Sequence, residues 1–266
     1  MTVTPRLPDD SVNVSDTHPL AEAGTLVAGV SLIFIVVTLV AVFAIDILLR
    51  LVSPATEARW LSNLSPELQI EDTAEQRDLE ALLRRLERHW ETDYDFRIAI
   101  DPMPEPNAMA LPGGWIVVTR GLLDQVESEN ELAFVIGHEL GHFAGRDHIR
   151  QLGRLTALSL VFSVAGSGGE SVGLQMTDLT LRGFSRDQEA AADRFGLEIL
   201  YREYGHVADA GRFFERIDDR QDNALARYTD THPVPADRID SLRELAVQQG
   251  WPQSGPTSPW PAPAAP

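Results

Sequence analysis

A run of apolar residues near the N-terminus, Ala23–Ile45, constrains the fold most, because it contains no charged side chain. A helix of this length can cross the hydrocarbon core of a bilayer. A cleaved signal peptide would have a basic start and a shorter apolar run, whereas the residues before this run are acidic. A buried core helix would rarely lack charged residues over such a length. The sequence therefore predicts a membrane anchor over residues 23–52, preceded by a disordered leader over residues 1–22.

The charges that flank the anchor differ by only one or two, so they predict its orientation weakly. Arg50 and Arg59 follow the apolar run, whereas Arg6 is the one arginine before it. By the positive-inside rule, this difference favours a single-pass protein of the cell (inner) membrane with a cytoplasmic C-terminal domain. The opposite orientation stays open.

Composition limits the chemistry of the remaining chain. A net charge of −18 and a pI near 4.7 argue against nucleic-acid binding, since no basic surface is available to contact phosphates. Cysteine is absent, which excludes disulfide bonds and thiolate metal sites. Any metal ion must therefore be held by histidine and carboxylate side chains. We expect one domain of ordinary size, residues 60–250, behind the anchor.

Residues 138–142 carry a metal-binding pattern, H-E-L-G-H. Positions i and i+4 of an α-helix lie on the same face, so His138 and His142 can bind one metal ion. In such an H-E-x-x-H pattern the histidines hold zinc, and the glutamate, here Glu139, is the general base for the attacking water. Ser128 and Glu131 form a predicted capping box that begins the helix. Taken alone, two histidines with ordinary hydrogen-bond partners would give the same pattern.

A third metal ligand is predicted on a second helix. Ser185 and Gln188 form another capping box, from which a helix runs toward Tyr204. A catalytic zinc site has three protein ligands, and Glu189 can supply the third. Asp193, one turn later, can accept the ring N–H of a ligand histidine. The alternative is two solvated acids, which the three alanines between them disfavour, because small residues indicate close packing against another helix.

A small β-sheet is predicted just before the metal-binding helix. An amphipathic helix over Glu71–Trp90 precedes a strand over Phe96–Ile100, and two strands, Asn107–Leu111 and Trp115–Thr119, flank a Pro-Gly-Gly turn. An edge strand here could bind an extended peptide through main-chain hydrogen bonds, or the sheet could simply pack on the helices. The candidate substrate-binding residues are Asn107, Ala108, Trp115, Ile116 and Val117.

The remaining segments carry weaker signals. Leu152–Ala165 is apolar but short for a membrane span, so we expect a buried helix or one lying on the membrane surface. Gly166–Gly169 after it is a candidate lid hinge. A last amphipathic helix contains Leu242 and Leu245. The tail, residues 251–266, is rich in proline and is expected to be disordered.

Taken together, these motifs resemble a known family. The segments NAMALPGGW (residues 107–115), ELAFVIGHELGH (131–142), FSRDQEAAAD (184–193) and THPVPADRI (231–239) are similar to those of HtpX-like and CAAX-prenyl-endopeptidase-like membrane metallopeptidases. The similarity covers about Glu71–Ala246. Heat-shock-type members carry several membrane spans, so this chain, with one clear span, resembles the single-anchor or periplasmic members more. His148 also fits the family pattern and is expected to have a structural role at the helix end.

The resemblance implies a fold and a site. The fold is mainly α with a small β-sheet (α+β), a zincin-type metallopeptidase domain behind one N-terminal transmembrane helix. The implied ligands of one Zn²⁺ per chain are His138, His142 and Glu189, with Glu139 as the base. His232 and Arg238 are implied to reach the site from the C-terminal segment. His232 could stabilise an oxyanion or close the fourth zinc position in a resting state, and a turn histidine before proline is the remaining alternative.

The expected function is that of a membrane-anchored zinc endopeptidase that hydrolyses peptide bonds. The resemblance implies a role in quality control, with unfolded or membrane proteins as polypeptide substrates and the lipid bilayer contacted through residues 23–45. Two other classes are open: a non-proteolytic chaperone or assembly factor on the same fold, and a zinc hydrolase of a small or lipid-linked substrate. Retention of Glu139 with a full ligand set argues against the first.

Overall fold

The computed structural model describes residues 18–61, 70–153, 184–219, 232 and 238–260. These residues form helices and one three-stranded sheet, which confirms the expected mainly α fold with a small sheet. The elements in chain order are α1 (Pro19–Leu51), α2 (Pro54–Leu61), α3 (Ala74–Glu87), β1 (Arg97–Asp101), β2 (Ala108–Leu111), β3 (Trp115–Thr119), α4 (Arg120–Leu123), α5 (Glu129–Gly145), α6 (Arg186–Tyr204), α7 (Arg212–Asp219) and α8 (Arg238–Gln249).

Helix α1 contains the predicted membrane anchor. Within the described residues it is the one helix whose length and composition would allow it to cross a bilayer, over Pro19–Ala41, with a mean hydropathy of 2.5. Large apolar side chains such as Leu26 and Val30 are exposed, because no other part of the described protein covers them. This exposure supports membrane anchoring. The helix begins at Pro19, so the end of the predicted leader is helical, and residues 1–17 lie outside the described residues.

Strand β3 lies at the centre of the sheet. It pairs in parallel with β1 and antiparallel with β2, giving the order β1-β3-β2. The β2–β3 hairpin closes through Gly113 and Gly114, whose φ angles of 88° and 85° favour glycine. At Gly114 a Cβ atom would also lie 2.7 Å from the main-chain oxygen of Asp95. The Pro-Gly-Gly turn predicted from the sequence therefore has the backbone geometry that requires its glycines.

The two predicted capping boxes form to different extents. Ser185 and Gln188 make both reciprocal hydrogen bonds at the start of α6. At the start of α5, Ser128 accepts a hydrogen bond from the main-chain N–H of Glu131. The Glu131 carboxylate instead accepts from the N–H of Glu127. Both helices begin where the sequence predicts, since one side-chain acceptor is enough to satisfy an N-terminal N–H group.

Helices α5 and α6 cross at very short range because small residues face one another. A Cβ atom at Gly141 would lie 2.7 Å from the Cα of Ala192, and one at Gly196 would lie 2.9 Å from the main-chain nitrogen of His138. The predicted close packing is therefore present, although of the three alanines before Asp193 only Ala192 is buried. This crossing places the side chains of the two helices around one shared space.

The predicted disorder of the tail is wrong for residues 251–260. The main-chain oxygen of Ser258 accepts a hydrogen bond of 2.8 Å from the N–H of Glu129, in the first turn of α5. The N–H of Trp260 donates to the main-chain oxygen of Glu127, and its side chain is buried. The proline-rich composition predicted disorder because it offers few residues for a core. It does not show that the tail can accept a hydrogen bond from an N–H group in the first turn of a distant helix. Residues 261–266 lie outside the described part of the chain.

Replacing Trp260 tests whether the tail is packed. We expect Trp260→Ala to lower the free energy of unfolding by about 3 kcal/mol, because a buried aromatic side chain is removed. The same change at the exposed Val247 should alter it by less than about 0.5 kcal/mol. Chemical denaturation of the detergent-solubilised protein measures both. Equal stability of the two variants would mean that the tail does not contribute to the core.

Two predicted segments cannot be compared with the structure. The apolar stretch Leu152–Ala165 continues beyond residue 153, where the described part of the chain is interrupted, and the Gly166–Gly169 loop falls within the interruption. Both stay predictions from the sequence.

Candidate metal centre

The structure brings together four side chains that can bind a metal ion. The ligand atoms of His138, His142, Glu189 and His232 all lie within 4.8 Å of one another, and all four residues are buried. The first two lie one turn apart on α5, and Glu189 lies in the first turn of α6. His232 is described, while the residues around it, 220–231 and 233–237, are not.

The spacing of these atoms is compatible with one shared metal ion. His138 Nε2 lies 3.1 Å from His142 Nε2. The Glu189 carboxylate oxygens lie 3.5 Å from His138 Nε2 and 3.4 Å from His142 Nε2. Tetrahedral zinc with bonds of about 2.0–2.1 Å separates its ligand atoms by about 3.3–3.4 Å. His138 is nearest one oxygen of Glu189 and His142 is nearest the other, so the carboxylate faces the space between the two ligand nitrogens, where one ion could be held.

A carboxylate orients each ligand histidine. The Nδ1 atom of His138 donates to Asp193 at 2.9 Å, as the sequence predicts. The Nδ1 atom of His142 donates to Asp147 at 3.0 Å, a partner that the sequence analysis missed. With Nδ1 protonated in each ring, Nε2 keeps its lone pair for a metal ion. The signal for Asp147 was present, since an acid follows directly after the end of the helix that carries His142.

Arg238 reaches the site from the start of α8. Its Nη2 and Nε atoms donate to the two oxygens of Asp193 at 2.7 and 2.9 Å. Its Nη1 atom lies 3.4 Å from Glu189 Oε2, and the guanidinium stacks over the ring of Phe214 at 4.1 Å. Such a planar fork holds a carboxylate in one orientation. Arg238 thus positions the acid that orients His138.

The electrostatics of the cluster favour a positive charge at its centre. Burial alone would raise the pKa of the Glu189 carboxyl, but hydrogen bonds from His142 and His232 hold it far below its usual range. Burial would lower the pKa of His142, but without a metal ion its hydrogen bonds with Asp147 and Glu189 raise it to about 9, so an ion bound at Nε2 would replace a proton there. The acids therefore stay ionised and stabilise a cation between them.

Glu139 lies beside the ligands but makes no hydrogen bond to the part of the chain that the structure describes. Its side chain is fully buried, and neither carboxylate oxygen has a hydrogen-bond partner among the described residues. The Nε2 atom of His232 lies 3.6 Å from Oε1. A buried carboxylate without a partner is costly, and such groups occur where a water molecule or substrate binds.

His232 occupies the fourth corner of the cluster. Its Nδ1 atom lies 3.3 Å from His138 Nε2 and 3.2 Å from Glu189 Oε1. These separations match those among the other three ligands. The opposite ring nitrogen, Nε2, faces Glu139. His232 therefore contacts both the ligand set and the candidate base.

The structure separates the candidate substrate-binding residues into two groups. Trp115, Ile116 and Val117 belong to the central strand, whose two edges are occupied by β1 and β2, and their side chains are buried. Their predicted role in strand addition is wrong, because no edge of β3 is available. Ala108 begins β2, an outer strand that packs beside α5, and Asn107 directly precedes it. A single sequence does not reveal which of two hairpin strands becomes the edge.

Comparison with known proteins identifies the class of this protein. Residues 71–246 match Peptidase family M48, so the chain belongs to this family of metallopeptidases and its domain is zincin-like. The resemblance seen in the sequence motifs is thereby confirmed.

Three relatives illustrate the similarity. The chain is 33% identical to the metalloprotease LoiP of Escherichia coli over 154 residues, which is 54% of this chain and 60% of LoiP. It is 31% identical to the mitochondrial metalloendopeptidase OMA1 of Schizosaccharomyces pombe over 160 residues, 58% of this chain and 47% of OMA1. It is 29% identical to the protease HtpX homolog of Salinibacter ruber over 212 residues, 65% of this chain and 76% of that relative. The chain thus spans about half the length of the OMA1 relative.

Proposed function

We propose that the chain is a membrane-anchored zinc endopeptidase. The observation that carries this proposal is the position of Glu139, a buried carboxylate with no hydrogen-bond partner in the described residues, beside a cluster of metal-binding side chains. Zinc is the ion proposed because imidazole and carboxylate ligands in a tetrahedral arrangement suit it. Membership of a peptidase family and the names of the relatives support the same activity.

Each side chain has a distinct part in the proposed reaction. His138, His142 and Glu189 would hold the zinc ion, which when bound polarises the substrate carbonyl and makes water more acidic. Glu139 takes a proton from the attacking water, and its freedom from other hydrogen bonds leaves both oxygens available for this. The protonated Glu139 then donates to the nitrogen of the departing amine. Asp193 keeps His138 in the tautomer that binds metal.

The proposed substrate is a polypeptide in extended conformation. Strand β2 is one of the two outer strands of the described sheet, and it lies beside α5, which carries the ligand histidines. A peptide that paired with this edge would pass close to Glu139, with main-chain hydrogen bonds that accept many sequences. Such tolerance suits unfolded or misassembled membrane proteins, which are the proposed substrates. Arg50 and Arg59, which follow the apolar run, favour a domain on the cytoplasmic face.

Removal of the metal ion tests the proposed activity directly. We expect the purified chain to cleave an unfolded protein such as casein, to lose this activity completely after treatment with a chelator, and to regain it with zinc but not with magnesium. Magnesium should fail because it prefers six oxygen ligands. Cleavage that persists without metal would contradict the proposal. If metal is bound but no polypeptide is cleaved, a non-proteolytic role or a small or lipid-linked substrate becomes the better explanation.

His232→Ala separates the two roles considered for this histidine. The spacing of its Nδ1 atom favours a fourth metal ligand over an oxyanion donor. A fourth ligand fills the position that water needs. We therefore expect His232→Ala to lower zinc affinity about tenfold and to raise the rate of casein cleavage at saturating zinc. The measurement is a chelator competition combined with a cleavage assay. Slower cleavage with unchanged zinc affinity would instead assign His232 to the oxyanion.

A further inference from the structure

Glu57, on helix α2, is a buried carboxylate outside the metal centre. Its side chain accepts hydrogen bonds from the Tyr94 hydroxyl at 2.8 Å and from His148 Nε2 at 2.9 Å, both at Oε1. At Oε2 it accepts from Nε and Nη2 of Arg146, at 2.9 and 2.5 Å. Burial raises the pKa of Glu57, but these partners lower it overall, so the carboxylate stays ionised. These donors hold the ionised Glu57 carboxylate in one orientation.

Glu57 connects the membrane anchor to the end of α5. Only Val52 and Ser53 separate the end of α1 from the start of α2. Arg146 donates a hydrogen bond of 2.7 Å to the main-chain oxygen of Val52. Arg146 is also the residue that ends α5, with a φ angle of 54°, in the left-handed region. A residue other than glycine adopts this conformation only where its surroundings hold it there. The hydrogen bonds of Arg146 to Glu57 and to Val52, at the end of α1, fix its side chain.

The residues that bind Glu57 flank the residue that orients a metal ligand. Arg146 and His148 both contact Glu57, while Asp147 between them accepts the hydrogen bond from His142 Nδ1. The other oxygen of Asp147 accepts from Gln188 Nε2 at 2.6 Å. The position of the Asp147 carboxylate therefore depends on a short turn whose two ends are tied to Glu57.

We propose that Glu57 is a positioning residue, which sets the orientation of His142 through Arg146, His148 and Asp147 and so couples the membrane-proximal helix to the metal centre. The proposal rests on the proposed metal-binding function. By this proposal, the residues at the junction between anchor and domain help to keep the metal ligands in position. A displacement of α2 against the domain would move Asp147, and with it the His142 ring.

Zinc affinity in the absence of substrate tests this coupling. The full-length protein in detergent is titrated with zinc against a chromophoric chelator. We expect Glu57→Ala to weaken zinc binding about tenfold, the low end of the range for direct partners of ligand histidines, because Glu57 acts on His142 through Asp147. Glu57→Gln, which keeps the shape of the side chain, should weaken zinc binding less.

Where cleavage is measurable, kcat should fall while KM stays within about twofold, since no contact with the peptide is removed. Because zinc binding is measured without a peptide, failure of the proposed peptidase activity does not affect this result.

A double-mutant cycle tests whether the effect passes through Asp147. In a protein that already carries Asp147→Ala, we expect Glu57→Ala to change zinc affinity by less than about twofold, because the connecting carboxylate is gone. Losses that multiply in the double variant would overturn the proposal. Wild-type zinc affinity in folded Glu57→Ala would overturn it as well.

Two matched controls separate positioning from general stability. Tyr94→Phe removes one hydrogen bond to Glu57 but leaves Arg146 and His148 bound to it. Arg85→Ala breaks another partly buried ion-pair network, with Glu129 and Glu203, near the other end of α5. We expect both variants to unfold at lower temperature and to keep zinc affinity within about twofold. Weakened zinc binding in Arg85→Ala, to the extent seen in Glu57→Ala, would assign Glu57 a structural role only.

Discussion

Glu139→Gln is expected to lower the rate of peptide-bond cleavage by about two to four orders of magnitude while zinc stays bound. Glutamine has almost the same shape as glutamate, but its amide cannot take a proton from the attacking water. The Glu139 carboxylate makes no hydrogen bond to the described residues, so the substitution breaks no contact that holds the fold. The loss should therefore appear in kcat, with metal content and thermal stability close to those of the wild-type protein.

Glu129→Gln is the matched control for this experiment. Glu129 lies on the same helix but contacts Arg85 and Tyr204, away from the ligand cluster. We expect it to retain cleavage within about twofold. Cleavage by Glu139→Gln at the wild-type rate, with equal zinc content, would show that Glu139 is not the base. If Glu129→Gln lost activity to the same extent, the assay would be reporting loss of fold.

Gly141→Ala is expected to reduce cleavage by about 100-fold, although it adds only one methyl group. The added Cβ atom would lie 2.7 Å from the Cα and 2.9 Å from the main-chain oxygen of Ala192. Backbone atoms cannot rotate away, so α5 and α6 must move apart. Because α5 carries His138 and α6 carries Glu189, this movement separates the metal ligands. Zinc affinity should fall together with cleavage.

Helix propensity alone predicts that Gly141→Ala stabilises α5, whereas the contact with Ala192 predicts a loss of zinc affinity and cleavage, so the experiment distinguishes the two effects. Alanine stabilises a helix by about 1 kcal/mol relative to glycine when nothing else changes. Gly29→Ala in α1 is the control, since an added Cβ there meets no atom within 4 Å. It should keep full activity. Gly196→Ala, on the other side of the same crossing, should behave like Gly141→Ala. Unchanged zinc affinity in both crossing variants would contradict the proposed link between helix distance and ligand geometry.

Features that depend on neighbouring residues could be predicted from the sequence. The hairpin turn followed from two adjacent glycines, and the starts of α5 and α6 followed from Ser128 and Ser185. The i, i+4 spacing placed His138 and His142 on one helix face, and the same reasoning placed Glu189 near Asp193 on another. These signals are local because helical geometry and capping involve residues within about one turn. They suffice to predict the elements that carry the candidate site.

Contacts between distant residues could not be predicted in this way. The sequence contained no sign that β3 would be the central strand or that the tail would contact the start of α5, and the acid at Asp147 could not be assigned to His142 from its position alone. The contact between Glu57 and Arg146, whose positions differ by 89 in the chain, also formed without any local signal. Such contacts depend on how the elements pack, and packing is decided by the whole core rather than by any one segment.

The sequence by itself determined which side chains could bind a metal ion and which helices would carry them, because both follow from residue type and short-range spacing. Only the tertiary structure decided that His232 joins the other three ligands, that Glu139 lies buried with no hydrogen-bond partner among the described residues, and that the anchor junction contacts the end of the metal-binding helix. The physical reason is that these arrangements require atoms far apart in the chain to approach within hydrogen-bond distance, which the α5–α6 crossing and the buried polar contacts around it enforce.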